Sequence, residues 1–341
     1  MQDLLAHLLT LKAMTGAQAE RAFSDVLTGQ ANEVQVGAML ALIAAREPTL
    51  EEIVAGARVM RAHATNTPIA EDLRDSVIDT CGTGGAPKTF NISTAVAFVV
   101  AGAQGVRPVR VVKHGGRSRT GRGSAEVLAH LGVNIDAPPE VEGACLREIG
   151  VCFCFAVNHH PAMRYAAVPR KSLGFPTIFN LLGPLTNPAG ATRQLMGVYD
   201  GTKVRMIAGA LGALGSVDAM VVHGEDGMDE ITTTGATRFA RVRGGVVSEG
   251  VIEPGEYGIA RATLDDLRVT TLDGAADVIR RVLGGERCAA RGIVELNAAA
   301  ALMVGGAAPD MGVGVALARE SIDSGRAAAA LDGLIEISSR K

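Results

Sequence analysis

Three short stretches of this chain combine residue types that can hold a phosphorylated ligand. The first is Val77-Ile78-Asp79-Thr80-Cys81-Gly82-Thr83-Gly84-Gly85, an apolar run ending in closely spaced glycines, followed by Ala86-Pro87-Lys88-Thr89-Phe90-Asn91-Ile92-Ser93-Thr94 and an apolar segment through Ala103. Glycines at a strand end expose backbone N–H groups to an anion, and a helix starting at Asn91 to Thr94 adds unsatisfied donors and a positive dipole end. Together they make a phosphate cradle. The same residues would also serve an ordinary strand-to-helix turn, with glycine for geometry and Ser or Thr for capping. They do not meet the dinucleotide fingerprint, because Gly-x-Gly-x-x-Gly with an acidic residue at the expected distance is absent.

The second stretch is Val111-Val112-Lys113-His114-Gly115-Gly116-Arg117-Ser118, continuing through Arg119-Thr120-Gly121-Arg122-Gly123-Ser124 into a helix. One Lys and three Arg on a glycine-rich loop can neutralise a pyrophosphate, and Ser124 is expected to cap the helix that follows. A solvated charge run is the bland alternative. The third stretch is His223-Gly224-Glu225-Asp226-Gly227-Met228-Asp229-Glu230. Its four carboxylates are hard oxygen ligands without a thiolate, which suits Mg²⁺ better than Zn²⁺, and the spacing is not that of a calcium loop. An acidic surface turn would look alike.

The elements that must position these residues are legible from periodicity. Apolar residues at helical spacing before about residue 70 (Leu4, Leu5, Leu8, Leu9; Val36, Met39, Leu40, Ile43) predict four short helices, the last capped by Thr49 and running to about Ala64. From Ser76 onward, short apolar runs end in glycine loops followed by Ala-rich segments, the pattern of alternating strands and helices. Strands are expected at 76–80, 107–112, 151–157, 217–222 and 237–242. The proline-rich stretch 161–188 does not read as an ordinary crossover and is expected to pack on the N-terminal helices. The tail from Ala275 is expected to be helical, with breaks at 284–285 and 305–306. The fold class is therefore α/β, with a small helical domain at 1–70 and a large domain of mostly parallel sheet at 71–160 and 189–341.

Composition narrows the partners. A net charge of -3 and the lack of a basic run interleaved with aromatics argue against nucleic acid. No segment approaches about 20 uninterrupted apolar residues, so a membrane partner is not expected, and the chain reads as cytoplasmic. The five cysteines, Cys81, Cys145, Cys152, Cys154 and Cys288, sit in apolar contexts that suit reduced thiols. Cys152 and Cys154 have the look of a metal or redox pair, but Val-Cys-Phe-Cys-Phe reads as a buried strand.

The order and spacing of the three stretches resemble the anthranilate phosphoribosyltransferase family. Between the second and third stand Asn158-His159-His160-Pro161-Ala162-Met163, Val168-Pro169-Arg170-Lys171-Ser172-Leu173-Gly174 and Thr177-Ile178-Phe179-Asn180-Leu181-Leu182-Gly183-Pro184-Leu185-Thr186-Asn187-Pro188, which are similar to that family almost residue for residue. The resemblance covers nearly the whole chain. It implies a fold of the nucleoside phosphorylase and phosphoribosyltransferase type. It also implies that phosphoribosyl pyrophosphate is held by Gly82, Gly84, Gly85, Thr89, Asn91, Ile92, Ser93, Thr94, Lys113, His114, Gly115, Gly116, Arg117 and Ser124. Gly82, His114, Gly116, His160 and Arg170 would line the acceptor site, with Arg170 on the anthranilate carboxylate, and Ser93, Asp229 and Glu230 would contact Mg²⁺.

Two loops depart from the family pattern. Ala86 stands where the family carries Asp, and Gly116 where it carries Asn; the usual serine pair of the second loop is not recognisable, while Arg119 and Arg122 add positive charge. The reaction implied is displacement of pyrophosphate from ribose C1 by the aromatic amine, as part of tryptophan biosynthesis, with no covalent nucleophile. Three alternatives stay open on these residues: a transferase with another aromatic acceptor, a nucleoside phosphorylase-like enzyme, and a catalytically silent ligand-binding homologue. Apolar residues on more than one face of the N-terminal helices predict a homodimer.

Overall fold

The computed structural model describes residues 1–340 apart from Ala86, Lys88 and Arg119. Four helices open the chain: α1 (Gln2–Leu9), α2 (Gly16–Leu27), α3 (Glu33–Arg46) and α4 (Leu50–Ala62). Three of the four start on reciprocal caps, Thr15 with Gln18, Asn32 with Gln35 and Thr49 with Glu52. Each of these pairs satisfies two orphan N–H groups and fixes where its helix begins. Glu52 does more than complement the α4 dipole. Fully buried, its carboxylate also accepts from the Met14 N–H at 2.9 Å and pairs with Arg46, so it ties the α1–α2 connection to the α3–α4 connection.

The large unit follows as β1 (Val77–Gly82), α5 (Ile92–Gly102), β2 (Arg110–Gly115), α6 (Ser124–Leu131), α7 (Pro139–Ile149) and β3 (Val151–Phe155). Then come α8 (Ala156–His159), α9 (Arg164–Leu173), α10 (Ile178–Leu182), β4 (Arg193–Gly197), α11 (Val204–Ala213), β5 (Asp218–Gly224), β6 (Thr237–Arg243) and β7 (Val246–Ile252). Helices α12 (Leu264–Leu267), α13 (Leu272–Leu283), α14 (Ala289–Gly305), α15 (Met311–Asp323) and α16 (Arg326–Ser338) complete the chain. The seven strands form one sheet in the order β3-β2-β1-β4-β5-β6-β7. Strands β1 to β5 are mutually parallel, and β6 and β7 join antiparallel at one edge.

All five expected strands are present, displaced at their ends by up to three residues. Two more were not expected. Strand β4 was missed because Arg193-Gln194-Leu195-Met196-Gly197 offers only two large apolar residues; its burial comes from β1 and β5 on either side. Strand β7 is the solvent-facing edge, so its pattern is mostly exposed and interrupted by Gly250, against which the Phe239 ring packs. Pro48 and Thr49 stop and restart the chain as expected, with α4 ending two residues before Ala64.

Apolar burial falls into two clusters. One joins α5, α14, α15 and α16 to one face of the sheet, and the other joins α1 to α4 with α9, α10, α11 and the opposite face. Helix α9 packs on α3 and α2, and α10 on α4, so the stretch 161–188 does return to the N-terminal helices. Pro169 inside α9 lies in this contact, buried, and Gly174 ends the helix in a left-handed turn. Among the described residues no helix is long and apolar enough to cross a membrane.

Candidate functional site

The sheet order reverses at β1. From there the chain runs outward through β2 and β3, then returns to the other side for β4 and β5. Open α/β sheets leave a crevice at the carboxyl ends of the strands beside such a switch point. Here that crevice is a cavity of about 340 Å³, lined by the β1–α5 loop, the β2–α6 loop and Met228-Asp229-Glu230 after β5. All three stretches with phosphate or metal chemistry therefore meet in one place.

The first wall is built by backbone. Gly84 and Gly85 have φ of +68° and +94°, a region that side chains strain, so only glycine turns the chain here at no cost. The Gly84 N–H donates to Asp229 Oδ2 at 2.8 Å, and the Ser93 N–H at the start of α5 donates to Glu230 Oε1 at 3.2 Å. The donors that would meet a phosphate are thus facing the carboxylates that would meet a cation. A Cβ at Gly82 would stand 2.5 Å from Asp229 Oδ2, which is why the strand must end in glycine for the acidic loop to approach. Thr89 is held by a bridge to Arg268, and Asn91 Nδ2 donates to the Arg122 carbonyl at 3.1 Å, so the first loop is pinned to the second.

The second wall carries charge. Lys113 is buried, and its ammonium donates to the Thr80 carbonyl at 2.9 Å and to Ser93 Oγ at 3.1 Å. Burial lowers its pKa, while Asp79, Cys81 and Glu230 oppose that shift. The Glu230 carboxyl is pushed up to about 8, by burial first and by the Asp229 charge second, with Lys113 working against both. Asp229 and Glu230 together with Lys113, Arg117 and Arg122 give the cavity lining groups of both signs, which suits a ligand that carries both.

Ser124 lines the cavity but does not cap α6. Gly123 is the N-cap, and the Glu126 carboxylate folds back to accept from the Gly123 N–H at 2.9 Å and from the Ser118 N–H. Ser124 is the first residue inside the helix, one past the cap, and its Oγ packs so closely on Gly115 that no Cβ would fit there. Of the four carboxylates after β5, only Asp229 and Glu230 face the cavity. Asp226 instead accepts from the Met228 N–H and from Thr232 and Thr234, and Glu225 is half exposed against Arg238.

Gly82, Gly84, Gly85, Thr89, Asn91, Ile92, Ser93, Thr94, Lys113, His114, Gly115, Gly116, Arg117, Asp229 and Glu230 all line this cavity. His160 stands one layer back, its ring 5.1 Å from that of His114. Burial lowers the pKa of both imidazoles, that of His160 to about 4, and neither Nε2 has a hydrogen-bond partner. Arg170 is not in the cavity lining; its guanidinium lies 5.4 Å from the Phe179 ring centre, and burial lowers its pKa. Gly116 leaves open space, the nearest atom to a Cβ being that of Ala156 at 3.8 Å. Ala86, Lys88 and Arg119, singled out in the substrate loops, lie outside the described residues.

Sequence reasoning passed over Asp79. It is fully buried in β1, where one carboxylate oxygen accepts from the His114 N–H at 3.3 Å and the other has no partner. Burial raises its pKa to about 6 against the pull of Asn187 and Lys113. A carboxylate inside an apolar strand was itself the available signal. Arg122 also lines the cavity, and its guanidinium is anchored on the Val269 carbonyl.

This architecture, a helical bundle on an α/β unit with the cavity at the switch point, is that of a glycosyl transferase. Residues 2–64 match the helical bundle domain of the glycosyl transferase family and residues 74–328 match its a/b domain. Within that class the chain belongs to the anthranilate phosphoribosyltransferase family. It is 47% identical over 343 residues to the anthranilate phosphoribosyltransferase of Rubrobacter xylanophilus, covering 100% of this chain and 98% of that one. The enzyme of the same name from Thermus thermophilus, 35% identical, superposes with a TM-score of 0.92 over 99% of this chain and 100% of its own. The Saccharomyces cerevisiae enzyme in complex with PRPP and Mg, 22% identical with a TM-score of 0.88 over 99% and 97% of the two chains, has the same fold.

Proposed function

We propose that this chain transfers the phosphoribosyl group of phosphoribosyl pyrophosphate to the amine of anthranilate, releasing pyrophosphate, in tryptophan biosynthesis. The observation that carries the reading is the meeting, in one cavity, of the Gly84 and Ser93 N–H donors, the Lys113 ammonium and the Asp229 and Glu230 carboxylates. A ligand that brings phosphates together with a divalent cation matches both signs of this lining. Free phosphate alone, as in a phosphorylase, would leave two carboxylates facing it.

In this reading Gly82, Gly84, Gly85, Thr89, Asn91, Ile92, Ser93 and Thr94 hold the phosphoribosyl side, and Lys113, Gly115, Arg117 and Ser124 the pyrophosphate. Ser93, Asp229 and Glu230 supply only oxygen donors, which fits Mg²⁺. When bound there it would neutralise the departing pyrophosphate. Lys113, fixed by Thr80 and Ser93, adds a positive charge that needs no reorganisation as the C1–O bond breaks. The acceptor amine is neutral near pH 7 and attacks C1 directly as the C1–O bond breaks; the proton it then sheds passes to the departing pyrophosphate or to water, so no side chain has to take it beforehand. His114 and His160 stay uncharged and can accept a hydrogen bond from it, while Arg170 meets its carboxylate. The protein acts in the cytoplasm as a homodimer.

The test is loss of anthranilate fluorescence in the presence of phosphoribosyl pyrophosphate and Mg²⁺, with pyrophosphate release as a second readout. The double variant Asp229→Asn with Glu230→Gln keeps shape and removes both carboxyl ligands, and it is expected to slow turnover roughly a thousandfold with the fold intact. Tight binding of phosphoribosyl pyrophosphate without any turnover would establish a silent ligand-binding homologue instead.

A further inference from the structure

Next in sequence to His160 begins a second cluster, none of whose residues lines the cavity and which the reaction does not use. Glu142 of α7, Cys154 of β3 and His159 of α8 are buried, and their ligand atoms all lie within 4.8 Å of one another. His159 Nε2 is 2.8 Å from Glu142 Oε1, Cys154 Sγ is 3.4 Å from Glu142 Oε2, and the Thr67 hydroxyl is 2.6 Å from Glu142 Oε2 and 3.2 Å from the sulfur. His159 Nδ1 faces the Thr65 carbonyl at 2.6 Å. We propose that these three side chains, with the Thr67 hydroxyl beside them, form a binding site for one thiophilic divalent cation such as Zn²⁺.

The argument starts at the imidazole. A carbonyl oxygen only accepts, so Nδ1 must carry the proton given to Thr65. Nε2 then presents its lone pair to a carboxylate, which also only accepts, and a cation must stand between them. In the metal-free cluster that cation is a second proton. A metal-binding histidine is held in the same way, with its other N–H on a carbonyl to fix tautomer and ring angle.

Donor type and spacing then favour the metal. Tetrahedral Zn²⁺ with bonds of about 2.0–2.3 Å needs ligand atoms roughly 3.3–3.6 Å apart, so the cluster requires shifts of less than about 1.5 Å to close on an ion. Imidazole, thiolate and carboxylate are a set that suits zinc and not Mg²⁺. Charge also balances. The metal-free cluster holds an imidazolium, a carboxylate and a neutral thiol, for a sum of zero. The loaded one holds a dication, a neutral imidazole, a carboxylate and a thiolate, again zero. Zn²⁺ thus replaces two protons without leaving net charge in a buried site, where an unbalanced charge would cost most. The site would tie the connection after α4, through Thr67, to β3, α7 and α8, directly beside His160.

The experiment uses the full-length protein, stripped with chelator and kept in excess Mg²⁺ so that the acidic loop after β5 is occupied. Cd²⁺ is expected to bind at one equivalent and give the ultraviolet charge-transfer absorption of a thiolate, with Zn²⁺ competing. The band should persist in Cys288→Ser and vanish in Cys154→Ser. Calorimetry of the unmutated protein in buffers of different ionisation enthalpy should show two protons released per ion, a readout that does not depend on a variant folding. Absence of a thiolate band, an undiminished band in folded Cys154→Ser, or uptake without proton release would each overturn the site and leave the buried ion pair alone.

Discussion

Arg170 is a cation in search of a partner. Among the described residues no carboxylate pairs with it, it rests on the Phe179 ring, and burial already lowers its pKa. An acceptor carboxylate would complete it with two parallel hydrogen bonds. Arg170→Ala is therefore expected to raise the Michaelis constant for anthranilate by roughly a hundredfold while changing that for phosphoribosyl pyrophosphate about threefold or less. Equal effects on both substrates in steady-state kinetics would point to a structural role. His160 offers a test by pH. Its folded pKa of about 4 lies below the ordinary 6.5, so the folded state binds fewer protons than the unfolded one between these values. The stability it contributes is fully present above pH 6.5 and is lost as pH falls towards 4. Urea unfolding should show wild type losing on the order of 2–3 kcal/mol more than His160→Gln over that interval. What could be read at this scale beforehand was residue type with spacing: Lys113, Asp229 and Glu230 stood out because charged groups stand beside glycines at strand ends, where a ligand can approach the backbone. Asp79 did not, because nothing in an isolated strand tells which neighbour its carboxylate will meet.

The elements decide how closely these residues meet. Gly82 ends β1 and Gly197 ends β4 directly against Asp229, the first 2.5 Å from its carboxylate by a would-be Cβ and the second overlapping its carbonyl. Adding a methyl at Gly82 should push the acidic loop outward while leaving the sheet pairing of β1 untouched. Gly82→Ala is expected to raise the Mg²⁺ concentration for half-maximal rate by roughly tenfold or more, with a melting temperature within a few degrees of wild type. An unchanged Mg²⁺ requirement would show that the loop has slack. Helix starts were legible here because caps are local: Thr49 and Glu52 specify α4 from four residues. The cap of α6 was misread because Ser124 has the right type but stands one residue inside the helix, where its Oγ packs on Gly115, nine residues earlier. Strand β4 was illegible because its burial is supplied by β1 and β5, whose nearness is a fact of topology and not of its own five residues.

At the scale of the molecule, the helical unit has more apolar surface than it covers. Helices α1 and α3 pack on each other, and α3 on α9, yet Leu9 is 69% exposed, Leu11 61% and Val34 82%, with Val168 and Phe175 half exposed on the stretch that joins them. Isolated exposed leucines are ordinary, and we propose that these, on elements that already pack together, are covered in solution. A second copy of the chain is the simplest cover, because the same helices can meet themselves about a two-fold axis. The cavity bears on the test, since its lining comes from the ends of β1 and β2, the loops after β1, β2 and β5 and the starts of α5 and α6, and none of it from the helical unit that carries these exposed residues. Separating the protomers should therefore spare the chemistry. Leu9→Glu with Val34→Glu is expected to convert a dimer into a folded monomer by sedimentation at micromolar concentration, with turnover within about threefold of the parent, because two buried charges per protomer oppose an interface of roughly 800 Å² a side. A wild-type protein that already sediments as a monomer would remove the interface, and a double variant that stays dimeric would move it to another face of the helical unit.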